Sequence, residues 1–333
     1  MARVKWGVLG VAKIATEKVI PAMQGGQLTE IAAIASRDQG RAEAAARRLG
    51  IAKAYGSYEA LLADPEIEAI YNPLPNEWHA LWTERALSAG KHVLCEKPIA
   101  LDADEARRLI AARDASGKLL AEAFMVRFHP QWRRAREIVR SGGIGEVQAI
   151  QTLFAYRLLD ADNIRNKPPG GGGLYDIGCY AIATARYIMG AEPTRVVAVL
   201  DIDPNFGVDR LTSAIVEFPG GRHLTFSAAT QLAGCQRVLI AGADGRIEIQ
   251  IPFNAPTDRP ARIVVDSGAD LVGGGARTEQ FPACDQYTLQ GDAFSRAIRE
   301  GSQIEFPIED AIANMRVIEA CFRSAKDGGW TAV

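Results

Sequence analysis

A lysine, a tyrosine and an aspartate carry the most distinctive chemistry in this chain. Lys97 stands in Lys91-His92-Val93-Leu94-Cys95-Glu96-Lys97-Pro98, a short apolar strand that runs into charged residues and a proline. In a doubly wound sheet, ligands bind outside the carboxyl ends of the strands, so Lys97 projects into that crevice. An ammonium there can donate to an oxygen and hold down the pKa of a neighbouring acid. The alternative is a solvated loop lysine. Further on, four glycines precede Leu174-Tyr175-Asp176-Ile177-Gly178-Cys179-Tyr180. On a helix Asp176 and Tyr180, four apart, share a face. A phenol ordinarily titrates near about 10, so it exchanges a proton at neutral pH only beside a cation. Lys97 can be that cation; otherwise Tyr180 is a half-buried core tyrosine.

A second group of residues suits a nucleotide. Gly7-Val8-Leu9-Gly10-Val11-Ala12-Lys13-Ile14-Ala15 fits G-x-G-x-x-G/A with Gly10, Ala12 and Ala15, the second glycine replaced by alanine. The first glycine permits the strand-to-helix turn, and the helix N-terminus attracts a pyrophosphate. Alanine is the smallest departure from that pattern; a plain structural turn is the competing reading. The second strand ends Ala35-Ser36-Arg37, without the carboxylate that usually binds a ribose 2′-hydroxyl. A hydroxyl beside a guanidinium suits a 2′-phosphate, so NADP is favoured, while Asp38 next door keeps NAD open. Pro73-Leu74-Pro75-Asn76-Glu77-Trp78-His79 and Arg127-Phe128-His129-Pro130 also follow strands and should face the same crevice. His79 can donate to a hydroxyl or to the cofactor, whereas His129 marks a helix start.

These residues need a frame. Up to about Ala123, short apolar runs alternate with amphipathic stretches. Strands are predicted at Val4–Leu9, Glu30–Ala35, Ile67–Tyr71, His92–Cys95 and Leu119–Ala121. Helices are predicted near residues 14–23, 39–49, 77–89 and 103–116. That alternation predicts a Rossmann-type, doubly wound parallel sheet. After a helix near 130–141 the pattern changes to successive strands near 147–156, 194–201, 213–218, 223–228 and 237–241. A helix near 174–189 interrupts them. Such runs predict an α+β domain with a large, mostly antiparallel open sheet. The expected division is 1–123 and 124–333, closed by helices near 287–299 and 308–324, the last able to pack back on the first domain.

The bulk composition is that of a soluble globular protein. With 48% hydrophobic and 23% charged residues, 333 residues exceed one ordinary core, and 38 basic against 40 acidic residues leave a net charge of −2. No clustered basic excess suggests a nucleic-acid partner. The five cysteines are scattered and never form CxxC, which supplies no local zinc site and suits a reducing compartment. No metal is expected. The N-terminus lacks the apolar region of a secretory signal, and no run approaches the roughly 18 apolar residues of a membrane span, so a cytoplasmic location is expected. There is no Tyr-x-x-x-Lys of the short-chain dehydrogenase type.

The combination of Gly10-Val11-Ala12-Lys13-Ile14-Ala15, His79, Glu96-Lys97-Pro98 and Gly171-Gly172-Gly173…Asp176…Tyr180 resembles the glucose–fructose oxidoreductase / inositol dehydrogenase / MocA (Gfo/Idh/MocA) family. The resemblance spans most of the first 185 residues, and Tyr180 in place of histidine is similar to NADP-dependent xylose dehydrogenases and dihydrodiol dehydrogenases. It implies a dehydrogenase or reductase acting on CH–OH groups, or on a dihydrodiol. Lys97, Tyr180 and Asp176 would be catalytic. The implied cofactor contacts are Gly10, Ala12, Lys13, Ile14, Ala15, Ser36, Arg37, Pro73, Leu74, His79, Glu96, Lys97 and Arg127. Arg157, Arg165, Asp176 and Tyr180 would line the site for a sugar or polyol. Resemblance also implies a homodimer or homotetramer. Two other functions stay open: a glycosidase that uses a tightly held nicotinamide for transient oxidation, and a non-catalytic NADP-binding regulator.

Overall fold

Val4–Leu9 (β1) is buried at every position but Lys5, as a strand covered on both faces must be. In the computed structural model, which describes residues 1–333, a π-helical turn at Ala15–Val19 follows it and continues into α1 (Ile20–Gln24). The chain then alternates β2 (Thr29–Ala35), α2 (Gln39–Leu49), β3 (Lys53–Tyr55), α3 (Tyr58–Leu62), β4 (Ala69–Asn72), α4 (His79–Ser88), β5 (His92–Cys95), α5 (Ala103–Ser116) and β6 (Leu120–Glu122). Helix α2 starts where the Asp38 carboxylate accepts the Arg41 N–H, and stops where Gly50 turns left-handed at φ 65°. The six strands are parallel in the order β3-β2-β1-β4-β5-β6. The order reverses between β1 and β4, the switch point at which open α/β sheets leave a crevice. Strand β3 and helix α3, with three and five residues, are too short to show a period and escaped the sequence reading.

The second half opens with α6 (Pro130–Arg140) and β7 (Val147–Arg157). A π-helical turn at Leu174–Gly178 then leads into α7 (Cys179–Met189). The strands β8 (Arg195–Ile202), β9 (Asp209–Glu217), β10 (His223–Ala229), β11 (Gln231–Gly242), β12 (Arg246–Ile249), β13 (Ala261–Asp266) and β14 (Ala276–Phe281) follow. Helices α8 (Gln286–Glu300) and α9 (Ile308–Asp327) and the short β15 (Thr331–Ala332) complete the chain. The sheet runs β14-β13-β12-β11-β7-β10-β9-β8-β15, and only β7–β10 is parallel. Its strands alternate: Val196 and Ala198 are buried while Val199 is 72% exposed. Helix α7 is buried at all eleven positions, as its nearly uniform apolar sequence requires.

The chain divides into two compact units, Met1–Met125 with Gln286–Ile312, and Val126–Asp285 with Ala313–Val333. The sequence reading had residues 286–312 in the second domain, but α8 completes the first core. The Trp6 indole donates to Ser295 Oγ at 3.0 Å, its ring lies 5.4 Å from that of Phe294, and Asp292 accepts the N–H groups of Gln27 and Leu28. Without α8 the buried indole N–H of β1 would lose its acceptor. No helix is long and apolar enough to cross a membrane.

Candidate active site

The first unit gathers the nucleotide residues at its switch point. Gly10 closes β1 with φ 83°, and its N–H donates to Ala35 O at 2.8 Å. A side chain there would be strained and would crowd Leu74, which follows β4. The carbonyl of half-exposed Ala12 accepts the Thr16 N–H at 3.0 Å, and exposed Lys13, half-exposed Ile14 and buried Ala15 follow, opening the helical run without a side-chain cap. Its N-terminal dipole is therefore left for an anion.

Beyond β2, Ser36 is buried and Arg37 exposed. Asp38, the one carboxylate that suggested NAD, caps its own helix at 3.0 Å from the Arg41 N–H. The charges of Arg37 and Arg41 both reach the Tyr58 hydroxyl, where they oppose the burial that raises its pKa. That hydroxyl would lie 3.5 Å from a Cβ on Gly10. The charges of both guanidiniums are thus felt at a hydroxyl beside the glycine turn. Arg41 and Tyr58 were missed from sequence, although Arg41 stands one helical turn after Arg37. These residues fit a nucleotide cofactor.

The Lys97 loop is fixed at three points. Tyr71 donates to Glu96 Oε1 at 2.7 Å, and the Glu96 N–H donates to Asn72 O. After the cis Lys97–Pro98 bond, the Ile99 N–H donates to Glu122 Oε1 at 2.8 Å. His79, expected to donate to a hydroxyl or the cofactor, is instead fully buried. Its Nδ1 lies 2.7 Å from Pro98 O and its Nε2 2.6 Å from Leu74 O, so the ring joins the loop after β4, where Pro73 also lies, to the Lys97 loop. Burial first, and the Lys97 charge in the same direction, push its pKa down to about 4 against the two carbonyl contacts. Glu122 was missed from sequence because a lone carboxylate at the end of a three-residue strand has no pattern.

The second unit holds the expected substrate residues. Asp176 accepts from Arg165 Nε at 3.1 Å and from the Tyr156 hydroxyl through its other oxygen. Burial and the Asp176 charge raise the pKa of Tyr156, which sequence reading also missed. Arg157 is exposed at the end of β7 opposite Gln231. Tyr180 is 6% exposed, its ring 6.1 Å from Phe154 and 5.5 Å from Phe253. The Cys179 N–H reaches back to Leu174 O, so Asp176 sits in a π turn rather than the regular helix assumed from the spacing. Arg127, expected at the cofactor, is buried with Nη2 3.4 Å from Ala183 O. His129 caps α6, its Nδ1 accepting the Gln131 N–H.

Residues 4–124 match the "Oxidoreductase family, NAD-binding Rossmann fold" and residues 132–248 the "GFO/IDH/MocA C-terminal domain". The chain belongs to the Gfo/Idh/MocA family. It is similar to D-xylose 1-dehydrogenase (NADP(+)) 2 of Haloferax volcanii, with 40% identity over 97% of this chain and 98% of the relative. It is also similar to trans-1,2-dihydrobenzene-1,2-diol dehydrogenase of Mus musculus, 32% identical over 76% of each chain. Among solved structures, KijD10, a 3-ketoreductase from Actinomadura kijaniata in complex with NADP and TDP-benzene, superposes with a TM-score of 0.90 at 32% identity over 97% of this chain and 98% of that one. Structures of KijD10 also exist with a lysine changed to alanine and with a tyrosine changed to phenylalanine. As a Gfo/Idh/MocA oxidoreductase, the chain carries an NAD(P)-binding Rossmann domain.

Proposed function

We propose that this oxidoreductase uses NADP(H) to interconvert a hydroxyl and a carbonyl on an aldose or a small diol. The observation that carries the reading is the Lys97 loop at the carboxyl end of β5, tied down by Tyr71, His79 and Glu122. A lysine held so firmly suits work at a reacting oxygen better than solvation. NADP preference is supported by the helix-capping role of Asp38 and by the charges of Arg37 and Arg41, both felt at the Tyr58 hydroxyl. Gly10, Ala12 to Ala15, Ser36, Pro73 and Leu74 would hold the rest of the nucleotide.

The nicotinamide, when bound, accepts or supplies the hydride at the carbinol carbon. In the oxidising direction Tyr180 takes the hydroxyl proton as that hydride leaves, and returns a proton in the reducing direction. The Lys97 ammonium would stabilise charge on the reacting oxygen. Asp176, steadied by Arg165 and Tyr156, orients a neighbouring substrate hydroxyl. That a lysine and a tyrosine were the residues changed in KijD10 supports the choice of these two residue types. A sugar or diol is favoured because Arg165, Tyr156 and Asp176 form a hydrogen-bonding cluster on the segment that leads to Tyr180.

Reduction of NADP⁺ and NAD⁺ scanned across D-xylose, D-glucose, other aldoses and trans-diols tests the reading. Lys97→Met and Tyr180→Phe should each lower turnover by at least about 10²-fold, in line with the loss of a general acid or base. Both should keep NADPH binding. Full turnover in either variant sinks the assignment.

A further inference from the structure

The second unit contains a buried acid that the proposed chemistry does not use. Asp209, the first residue of β9, is 2% exposed. Its Oδ2 accepts the Leu174 N–H at 2.7 Å and the Thr212 hydroxyl at 2.6 Å. Leu174 opens the π turn that carries Asp176 and leads to Tyr180.

The glycine run explains why the carboxylate can come so close. Gly172 has φ 103°, and a Cβ on it would overlap the Asp209 carboxylate. The carbonyl of Gly172 accepts the Asp176 N–H at 3.0 Å, and its N–H donates to Arg165 O at 2.8 Å. One glycine therefore ties together the backbones of Arg165 and Asp176, which also form an ion pair through their side chains. The space its side chain would fill is taken by Asp209.

We infer that Asp209 is a positioning residue of the substrate half of the site: its carboxylate sets the Gly172–Leu174 corner and, through it, Arg165, Asp176 and Tyr180. The inference rests on the function proposed above. The carboxylate accepts from Leu174 and Thr212 through the same oxygen, Oδ2, and does so most strongly when ionised, while burial pushes its pKa up to about 6. Protonation removes the charge that strengthens these hydrogen bonds. The groups facing it are the amides of Gly173 and Leu174, the Thr212 hydroxyl, Tyr156 on β7 and Cys321 on α9. Tyr156 is raised further above its ordinary range and the Cys321 thiol is pushed up to about 12 by burial, so neither titrates near Asp209.

The test is Asp209→Asn in the full chain, with D-xylose and NADP⁺ or with the fastest aldose or diol from the scan. Asparagine keeps the shape but loses the charge and has one oxygen where the carboxylate has two, so an N–H₂ replaces one of the two acceptors that serve the amides of Gly173 and Leu174 and the Thr212 hydroxyl. We expect kcat/KM to fall by about 10²-fold, the scale of a sub-ångström to 1 Å misplacement, with NADPH affinity unchanged within about threefold on the same scale of argument. Wild-type kcat/KM should decline below about pH 6, and that limb should vanish in Asp209→Asn although Asp176 remains. Thr212→Val removes only one donor to the carboxylate and keeps the fold testable if Asp209→Asn is poorly soluble. Because that donor lowers the Asp209 pKa, the limb should move to higher pH. An unmoved limb in Thr212→Val, wild-type kinetics in Asp209→Asn, or a matching loss of NADPH affinity would overturn the inference. Tyr180→Phe separates the two levels. If it keeps full turnover, the proposed function falls and this inference with it. If it is inactive while both Asp209 and Thr212 variants behave as wild type, only this inference falls.

Discussion

Arg37→Ala offers a sharp test of cofactor choice. Arg37 is exposed, and its charge together with that of Arg41 reaches the Tyr58 hydroxyl beside Gly10. A charge-assisted hydrogen bond to a phosphate contributes about 1.5–3 kcal/mol, and solvent exposure argues for the lower end. Removing Arg37 should therefore weaken NADP⁺ by roughly tenfold, and removing Arg41 as well by roughly a hundredfold. NAD⁺ lacks the 2′-phosphate and should be unaffected. The ratio of kcat/KM for the two cofactors, measured with one substrate at fixed ionic strength, reads this directly. Asp38→Ala is the companion variant. It removes a helix N-cap, costing about 1 kcal/mol of stability, and should leave that ratio unchanged. Equal losses for both cofactors on removing Arg37, or a collapse of NAD⁺ use on removing Asp38, would refute the reasoning.

Two further outcomes follow from buried contacts. Glu122→Ala leaves the buried Ile99 N–H without its acceptor and frees one side of the Lys97 loop; kcat should drop at least about tenfold with NADPH affinity retained, while Glu122→Gln, which keeps an acceptor oxygen, should retain most activity. Equal defects in the two would assign the effect to charge rather than to the hydrogen bond. His92 and His129 each accept a backbone N–H at Nδ1, from Leu119 and Gln131, and so are neutral. Burial pushes both pKa values down to about 4. Unfolded histidine binds protons from about pH 6.5 downward, so stability should fall as pH drops from there toward 4, by at most roughly 3 kcal/mol for each residue. Asp209 acts in the opposite sense, since its raised pKa makes the folded state gain protons first between about 6 and its unfolded value. The two histidines outweigh it. Urea midpoints that stay flat between pH 7 and 4.5 would contradict this balance.

The fold was legible wherever a period had room to repeat. Strand β1 and helices α2 and α5 stand where the sequence reading put them, because each has a full apolar pattern and a capping residue at its start or a glycine at its end. The hairpin strands β12 to β14 were not found, since four to six residues leave too little length for a period to stand out. The place of α8 was hidden for a different reason. An amphipathic helix declares that it has an apolar face but not which core receives it; only the Trp6–Phe294 and Trp6–Ser295 contacts show that.

The groups proposed to react are legible in the sequence, and those that hold their segments in place are not. Lys97, Asp176 and Tyr180 stand out because glycine runs and a charged tripeptide surround them. Glu122, Asp209 and Tyr156 are single polar residues on strands, and nothing local distinguishes them from surface residues. Their roles come from neighbours far along the chain: Glu122 with Ile99, Tyr156 with Asp176 twenty residues away, Asp209 with Leu174 thirty-five residues away. A common physical pattern links the two halves. In each, a segment with candidate chemistry leaves regular structure, the Lys97 loop in one and the π turn at Leu174–Gly178 in the other, and an almost fully buried carboxylate on a strand accepts one of its backbone N–H groups. Irregular backbone exposes donors that a helix or sheet would have paired, and inside a protein each needs an acceptor. A carboxylate supplies the strongest one available while also fixing the segment's position. The irregular backbone of the Lys97 loop and of the π turn is therefore the same feature that requires Glu122 and Asp209.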